Sequence, residues 1–369
     1  MMEQDHIQVL KGRIHAYRLF DIGEEVNLQK ARQLVSEANF ETYRIRHVSR
    51  SLLINDHPLA IALPQREQII GAQTYAVEIS VKIWSFGAVS IRYSLNLPPI
   101  SMEDLCEISW YLENDEPFHH QAIQAVQNLM TLIHHAITAP SLWSQHEDYL
   151  IFEAEKAEGL SQNLVESFIN TTMASLILGE KPMDFAESTL ETLRQSVLQY
   201  SKDDLTIVHW NGAFIYDNQD ADDLALVLEF SLSQLLELRY YDDLLDKQLA
   251  TLYQHIESQP HPSVLRNPYQ DLSRKAGLQY IEFSEVIDRI GNSTKMISDY
   301  YYTSIYRAAT KNMRLQDWKD AVNHKLKNIA EVSKIFQGEI NEQRNQIMEF
   351  TIIVLIAIEV IPFVYSFIR

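Results

Sequence analysis

Residues 75–95, YAVEISVKIWSFGAVSIRYSL, decide the fold of this chain. Apolar and polar residues alternate along both halves of the stretch, and Val, Ile, Tyr and Trp, which favour strands, are abundant in it. Gly87 interrupts the alternation, where a residue without a Cβ turns the chain at little cost. The pattern predicts a long β-hairpin of residues 75–86 and 88–95.

A second hairpin is predicted near residue 211. Alternating residues 206–210 and 213–216 flank Asn211 and Gly212, a pair typical of the two-residue type I′ turn, in which φ at the glycine is positive. Strand patterns also occur at residues 13–20 and 149–154, and helical periodicity fills the segments between them. These patterns predict an α+β fold whose N-terminal α/β domain covers residues 1–217 and is built from two β-hairpin regions with helices.

Helical periodicity dominates from residue 220 onward. Leucines recur at alternating spacings of three and four, a pattern typical of a coiled-coil-like face. Residues 220–346 are therefore predicted to form long antiparallel helices. Leu235, Leu245 and Leu252 lie on one apolar stripe, which favours a homo-oligomer.

Residues 350–368 form a nearly unbroken apolar stretch that begins at Phe350. A membrane-spanning helix needs about 20 such residues, so the stretch is predicted to be a C-terminal transmembrane anchor. Glu359 at its midpoint costs about 2.5–3.5 kcal/mol, and it is either tolerated or pairs with a partner helix. Pro362 frees the carbonyl of Ile358 and leaves a polar spot beside Glu359.

The net charge and the N-terminal residues limit where the protein is expected to lie and what it is expected to bind. The 50 Asp and Glu outnumber the 31 Lys and Arg, and the net charge of −19 repels phosphate backbones, so no direct contact with nucleic acid is expected. A single cysteine, Cys106, excludes a disulfide framework. Residues 1–6 are polar and acidic, unlike a secretory signal. We therefore expect the globular part on the cytoplasmic or matrix side of a cytoplasmic or organellar inner membrane.

No catalytic motif was recognised, and neither a metal nor a cofactor is expected. His119, His120, His134 and His135 are too far apart along a helix to share an ion. The acidic cluster that begins at Glu237 lacks the histidines of a di-metal helix site, so it is interpreted as a solvated face.

The absence of a catalytic motif favours a non-enzymatic scaffold, and the alternative is an enzyme or ligand sensor with a pocket between the β-hairpins. Its candidate residues are Arg92, His209, Trp210 and Asn211. Their spacing matches no known catalytic pattern.

Three segments resemble the family of proteins required for meiotic nuclear division and sporulation in fungi, which has mitochondrial and bacterial relatives. Residues 348–360 are similar to that family's anchor, with Phe350 in place of a usual Trp. Residues 84–89 are similar to its aromatic-x-Gly-x-Val hairpin, with Ile91 where a Trp is usual, and residues 13–28 to its first strand and helix. The helices between Pro98 and Asp203 depart from the family's pattern.

This resemblance implies a tail-anchored protein that acts without catalysis. The family's mitochondrial members resemble inner-membrane factors that support organelle translation. For this chain the resemblance implies a scaffold or tether for cytoplasmic protein partners, linked to ribosomes or to the cell envelope.

Overall fold

The computed structural model describes residues 9–37, 44–46, 57–70, 73–114, 116–155, 163–216, 221–257, 268–292 and 300–368. The chain divides into two compact units. The sheet unit comprises residues 1–240 and 290–318, and the helical unit comprises residues 241–289 and 319–369. The predicted α+β class is confirmed.

The described strands are β1 Val9–Asp21, β2 Glu25–Val26, β3 Arg44–Arg46, β4 Leu59–Ile70, β5 Gln73–Ile83, β6 Ala88–Ser101, β7 Ile137–Thr138, β8 His146–Ala154, β9 Val197–Leu198, β10 Leu205–Val208 and β11 Gly212–Tyr216. The described α-helices are α1 Leu28–Glu37, α2 Met102–Asn114, α3 Glu116–Ile133, α4 Leu164–Phe168, α5 Thr171–Leu178, α6 Glu187–Gln195, α7 Ala221–Glu257, α8 Pro268–Asn292, α9 Tyr300–Asn312 and α10 Leu315–Ile368.

Within these residues, nine strands form one sheet in the order β3-β4-β5-β6-β1-β8-β11-β10-β9. Neighbouring strands are antiparallel except β8 and β11, which are parallel and are separated along the chain by α4, α5, α6, β9 and β10. β1 lies between β6 and β8, so the first described strand occupies the interior of the sheet. β2 and β7 form a separate two-stranded ladder.

The predicted hairpin of residues 75–95 is confirmed as β5 and β6. Its turn closes with a hydrogen bond from Trp84 N to Ala88 O of 2.9 Å. Gly87 has a φ of +106°, and a Cβ there would lie 1.9 Å from the carbonyl oxygen of Gly23. Glycine is therefore required both for the backbone conformation and for the approach of the neighbouring turn.

The second hairpin is confirmed as β10 and β11, but the predicted positive φ at Gly212 is wrong. The turn centres on Trp210 and Asn211, and His209 N donates to Gly212 O at 2.9 Å. Gly212 is instead the first residue of β11. A Cβ on it would lie 3.0 Å from the oxygen of Leu150 on the parallel neighbour β8, so close strand approach explains this glycine.

The two faces of the sheet differ in character. One face is apolar and packs on helices of the N-terminal half, with Ile14 and Phe20 of β1 and Val126 of α3 in its core. The other face carries polar side chains that contact α7, and residues 224–238 of α7 are buried on every side. This part of α7 is a central helix of the sheet unit rather than the predicted coiled-coil-like seam, because the sheet and α9 cover it from different directions.

The helical unit is held by contacts among α7, α8 and α10. Tyr269 stacks on Phe336 with ring centroids 5.6 Å apart, and Lys325 forms an ion pair with Asp242 at 2.7 Å. Leu245 and Leu252, like Leu235 in the sheet unit, are buried within the chain. These leucines are therefore not available to a second copy and no longer favour a homo-oligomer. The homo-oligomer itself stays a prediction.

α10 is continuous from Leu315 to Ile368, so it spans the end of the predicted helical region and the predicted anchor. Described residues of its end, including Phe350 and Glu359, are exposed, and the side chains of residues 362–369, Pro362 among them, lie outside the described part. The predicted transmembrane helix is not supported: within the residues described, no helix is long and apolar enough to cross a membrane. The run of described apolar side chains after Glu349 is interrupted at Glu359.

The two hairpin glycines differ in what a side chain costs. Gly87→Ala is expected to lower the free energy of unfolding by about 2–4 kcal/mol, because it adds a strained φ to a backbone clash. Gly212→Ala is expected to lower the free energy of unfolding by about 1 kcal/mol or less, because φ is ordinary there and the new Cβ would only be in tight contact with the Leu150 oxygen. Urea unfolding followed by tryptophan fluorescence measures both, and equal losses would contradict this account.

Candidate functional site

The candidate site is the polar face of the sheet beneath α7, which we call the polar face. Successive strand residues point to opposite sides, so His15, Tyr17 and Asp21 of β1 lie on this face while Ile14 and Ala16 lie on the apolar one. The neighbouring strands and α7 add Lys82, Arg92, Ser94, Glu153, Asp222, Glu229 and Glu237.

Three residues on adjacent strands form a hydrogen-bonded series. His15 and Ser94 are cross-strand partners, and His15 Nδ1 lies 2.7 Å from Ser94 Oγ. His15 Nε2 lies 3.1 Å from Glu153 Oε1 on the other neighbouring strand. If Nε2 carries the proton and donates to the carboxylate, Nδ1 accepts from the hydroxyl, which is the order of groups in a serine hydrolase triad.

The protonation states in this series are set by opposing effects. Burial lowers the pKa of His15, and the contact with Glu153 opposes this without overcoming it. Burial alone would raise the pKa of Glu153, but His15 and the nearby Arg13 and Arg92 hold it below its ordinary value. The series therefore holds a neutral imidazole and a carboxylate at neutral pH.

Burial argues that this series has a structural role. His15 is 1% exposed and Ser94 is 8% exposed, so a substrate carbonyl has no approach to the hydroxyl in this conformation. Glu153 also pairs with Arg13 at 2.7 Å, which occupies the carboxylate from a second side. We interpret the series as polar and charged groups of a buried sheet face, held by one hydrogen bond and by the ion pairs of Glu153.

A second set of charges fastens α7 to the sheet. Lys82 of β5 forms an ion pair and hydrogen bond with Glu229 of α7; Glu229 is buried, and the Lys82 side chain is 13% exposed. Burial lowers the pKa of Lys82, and Glu229 opposes that shift. At the start of α7, Asp222 lies 3.7 Å from Arg13 and 4.0 Å from Arg92. Opposite charges therefore meet at two points along α7.

Two carboxyl groups also meet at the far end of this face. Asp21 and Glu237 are both completely buried, so the interpretation of Glu237 as part of a solvated acidic face is wrong. Burial raises the pKa of Asp21 to about 7, and burial together with the charge of Asp21 raises that of Glu237 well above its ordinary value. The amide of Gly23 lies 3.3 Å from Asp21 Oδ1. The pair is stable when it holds a proton, since two ionised carboxylates this close repel.

The residues expected to share a pocket do not meet. Arg92 on β6 is three strands from the turn at Trp210 and Asn211, which amounts to about 14 Å across the sheet. Asn211 Nδ2 donates to Leu178 O at 2.9 Å, and His209 O accepts from the Tyr149 hydroxyl. These groups make local hydrogen bonds that do not involve Arg92, and the pocket between the hairpins stays a prediction.

His119 of α3 contacts a histidine on a distant strand. The ring of His119 packs against that of His146 of β8 with centroids 4.2 Å apart, and His146 Nε2 lies 3.2 Å from Asp148 Oδ2. Among the described residues, no group of three or more His, Cys, Asp or Glu is arranged to hold a metal ion.

Two clefts open elsewhere on the sheet unit. The first, of about 170 Å³, lies between the apolar face of the sheet and α3. The second, of about 780 Å³, is called here the α2 cleft. Its lining residues are Ile70, Gln73, Tyr75, Pro98, Pro99, Ile100, Ser101, Glu103, Asp104, Cys106, Glu107, Ile108, Trp110, Tyr111, Lys181 and Pro182. Neither cleft includes Ser94 or His15.

Residues 11–223 match a family described as uncharacterized protein MJ0711, N-terminal domain. The chain belongs to this family. The matched segment begins in β1 and ends at the start of α7, so it contains the nine-stranded sheet, the Ser94–His15–Glu153 series and the α2 cleft. Glu229 and Glu237 of α7 lie beyond it.

The uncharacterized protein MJ0711 of Methanocaldococcus jannaschii is 25% identical to this chain over 199 residues. The alignment covers 53% of this chain and 61% of MJ0711, so the likeness concerns part of each protein. No solved structure matches the chain.

Substitutions at the Lys82–Glu229 ion pair test whether it stabilises the packing of α7 on the sheet. Glu229→Gln is expected to lower the free energy of unfolding by about 3–5 kcal/mol, because it leaves the largely buried Lys82 ammonium without its counter-charge. The double variant Lys82→Met with Glu229→Leu should recover most of the loss. Arg194→Gln, which breaks an exposed pair with Glu187, serves as control and should cost no more than about 1 kcal/mol. Urea unfolding of these three variants and the unaltered protein measures the losses, and a Glu229→Gln variant as stable as the unaltered protein would contradict the proposed role of this ion pair.

The Asp21–Glu237 pair predicts a pH dependence of stability. A carboxyl whose pKa is raised on folding stabilises the protein fully below its unfolded pKa, and that stability is lost as pH rises through about 7. Asp21→Asn removes this loss, so its stability relative to the unaltered protein should increase by about 1–3 kcal/mol between pH 5 and pH 8. Asp203→Asn, at an exposed carboxylate, is the control. A constant difference across this pH range would show that the pair does not titrate as described.

Proposed function

We propose that this protein is a membrane-tethered, non-enzymatic scaffold. Residues 350–368 insert into a lipid membrane, and the sheet unit remains on the cytoplasmic or matrix side, where it binds protein partners. Membership of the MJ0711 family supplies no activity to transfer, because that relative is itself uncharacterized. The resemblance to the meiotic nuclear division family stays a prediction.

The observation that carries the proposal is the exposure of apolar side chains at the end of α10. Ile347, Met348, Phe350, Ile352, Ile353, Val354, Leu355, Ile356, Ile358, Val360 and Ile361 are all exposed. Soluble proteins rarely leave a contiguous apolar surface of this kind uncovered. Something outside the described chain must therefore cover it.

Lipid fits this surface better than one partner helix does. Residues 352–356 are five consecutive exposed apolar positions, and at 100° per residue they point to every side of the helix. A single partner covers one stripe of a helix, whereas lipid surrounds it. Between Phe350 and Ile361, Glu359 is the one charge, and its cost of about 2.5–3.5 kcal/mol for insertion is offset by apolar neighbours that each contribute about −0.3 to −0.6 kcal/mol.

The enzyme alternative has less support from the geometry. The pocket on which it depended requires Arg92 and the turn at Trp210 and Asn211 to converge, and they lie three strands apart. The Ser94–His15–Glu153 series has the right order of groups but is sealed beneath α7. The polar face is accounted for by the attachment of α7.

Membrane attachment is tested on the full chain. We expect the protein to stay with membranes through alkaline carbonate extraction and to float with neutral phosphatidylcholine vesicles. Ile353→Lys with Leu355→Lys should release it, because two charges within the apolar stretch each add about 2.5–3.5 kcal/mol to insertion.

The matched control is Asn341→Lys with Asn345→Lys. It adds the same charge to exposed positions of the same helix, upstream of the apolar stretch, and should leave flotation unchanged. Equal flotation of both double variants would refute the tether. A protein that fails to float but forms large assemblies in light scattering would show instead that a second copy covers α10.

A further inference from the structure

The α2 cleft is a built concavity on the sheet unit, formed where the ends of β5 and β6 meet α2 and the loop after α5. Its volume of about 780 Å³ is in the range of binding sites for small molecules and short peptide segments. All of its lining residues belong to the sheet unit.

The apolar wall of the cleft consists of aromatic rings and prolines. Tyr75 is held in place by a hydrogen bond from its hydroxyl to Gln73 Oε1 of 2.9 Å, and Tyr111 by one to Ile69 O of 3.4 Å. Trp110 is 41% exposed, which is unusual for so large an apolar side chain. Rigid aromatic rings along a groove are the surface on which extended, proline-containing peptides dock.

The rim of the cleft is acidic. Glu103, Asp104 and Glu107 of α2 are exposed, and no salt bridge to any of the three was found in the described part of the chain. Opposite them, the Lys181 ammonium lies 4.5 Å from the centroid of the Trp110 ring, a cation–π contact. The cleft thus already holds one cation on its aromatic wall and presents carboxylates for others.

We propose that the α2 cleft binds an extended peptide segment of a partner protein in which Arg or Lys alternates with proline and apolar residues. The basic side chains pair with the carboxylates of α2, and the prolines pack on the aromatic wall. Lys181 occupies the face of Trp110 in the absence of the peptide and yields it to a basic side chain of the partner.

The inference names a partner class for the scaffold and rests on the proposed function to that extent. Peptide binding is measured on detergent-solubilised protein and membrane attachment on vesicles. A failure of one measurement is therefore separate from a failure of the other.

The test is fluorescence anisotropy of a labelled synthetic peptide that repeats Arg-Pro-Leu, titrated with the solubilised full chain. Saturable binding that weakens with salt is expected. Glu103→Gln with Glu107→Gln should weaken it at least about fivefold, and Trp110→Ala about tenfold. Lys181→Ala should tighten it, because the competing ammonium is removed from Trp110.

Two controls keep the result specific. Glu166→Gln with Asp203→Asn removes the same charge from exposed positions outside the cleft and should change the affinity by less than about twofold. A peptide with Glu in place of Arg, or Gly in place of Pro, should bind more weakly than the Arg-Pro-Leu peptide. Absent binding, equal binding of either altered peptide, or unchanged binding by the cleft variants would overturn the proposal.

Discussion

The structure depends on the packing of a charged helix against a charged sheet. α7 is buried on every side through residues 224–238, and Glu229 and Glu237 lie within that stretch. Buried charges are costly unless they are paired or neutralised. Lys82 pairs with Glu229, and a retained proton neutralises part of the Asp21–Glu237 contact. The polar face of the sheet and the buried carboxyl groups of α7 therefore depend on each other, because each provides the groups that pair with or neutralise the other's charges.

Local signals were sufficient to predict much of the fold. Alternation and Gly87 predicted β5 and β6, and leucine periodicity predicted the long helix that begins at Ala221. The turn at Gly212 shows the limit of such signals. Asn-Gly indicates a type I′ turn, but tertiary packing moved the turn back to Trp210 and left the glycine beside Leu150 on a strand distant in sequence.

The candidate site was beyond the reach of one sequence because its members come from distant segments. His15, Ser94 and Glu153 become neighbours only once the strand order is known. A usable signal was present in β6, where Ser90, Arg92 and Ser94 alternate with apolar residues in a strand with two buried faces. That alternation indicates a face covered by something polar, and Glu237, interpreted from sequence as solvated, was part of that cover.

The position of β1 has a consequence for the order of synthesis. β1 is the first described strand to leave the ribosome, yet its two partners, β6 and β8, end at Ser101 and Ala154. One edge of β1 therefore stays unpaired until most of a hundred further residues have been synthesised, and the other edge stays unpaired for longer. During that time its free amide and carbonyl groups can pair with another chain. In the described strand order, β1 is the only strand whose hydrogen bonds link the β6 side of the sheet to the β8 side. A nascent chain that loses its first strand would leave two incomplete half-sheets, each with a newly exposed edge.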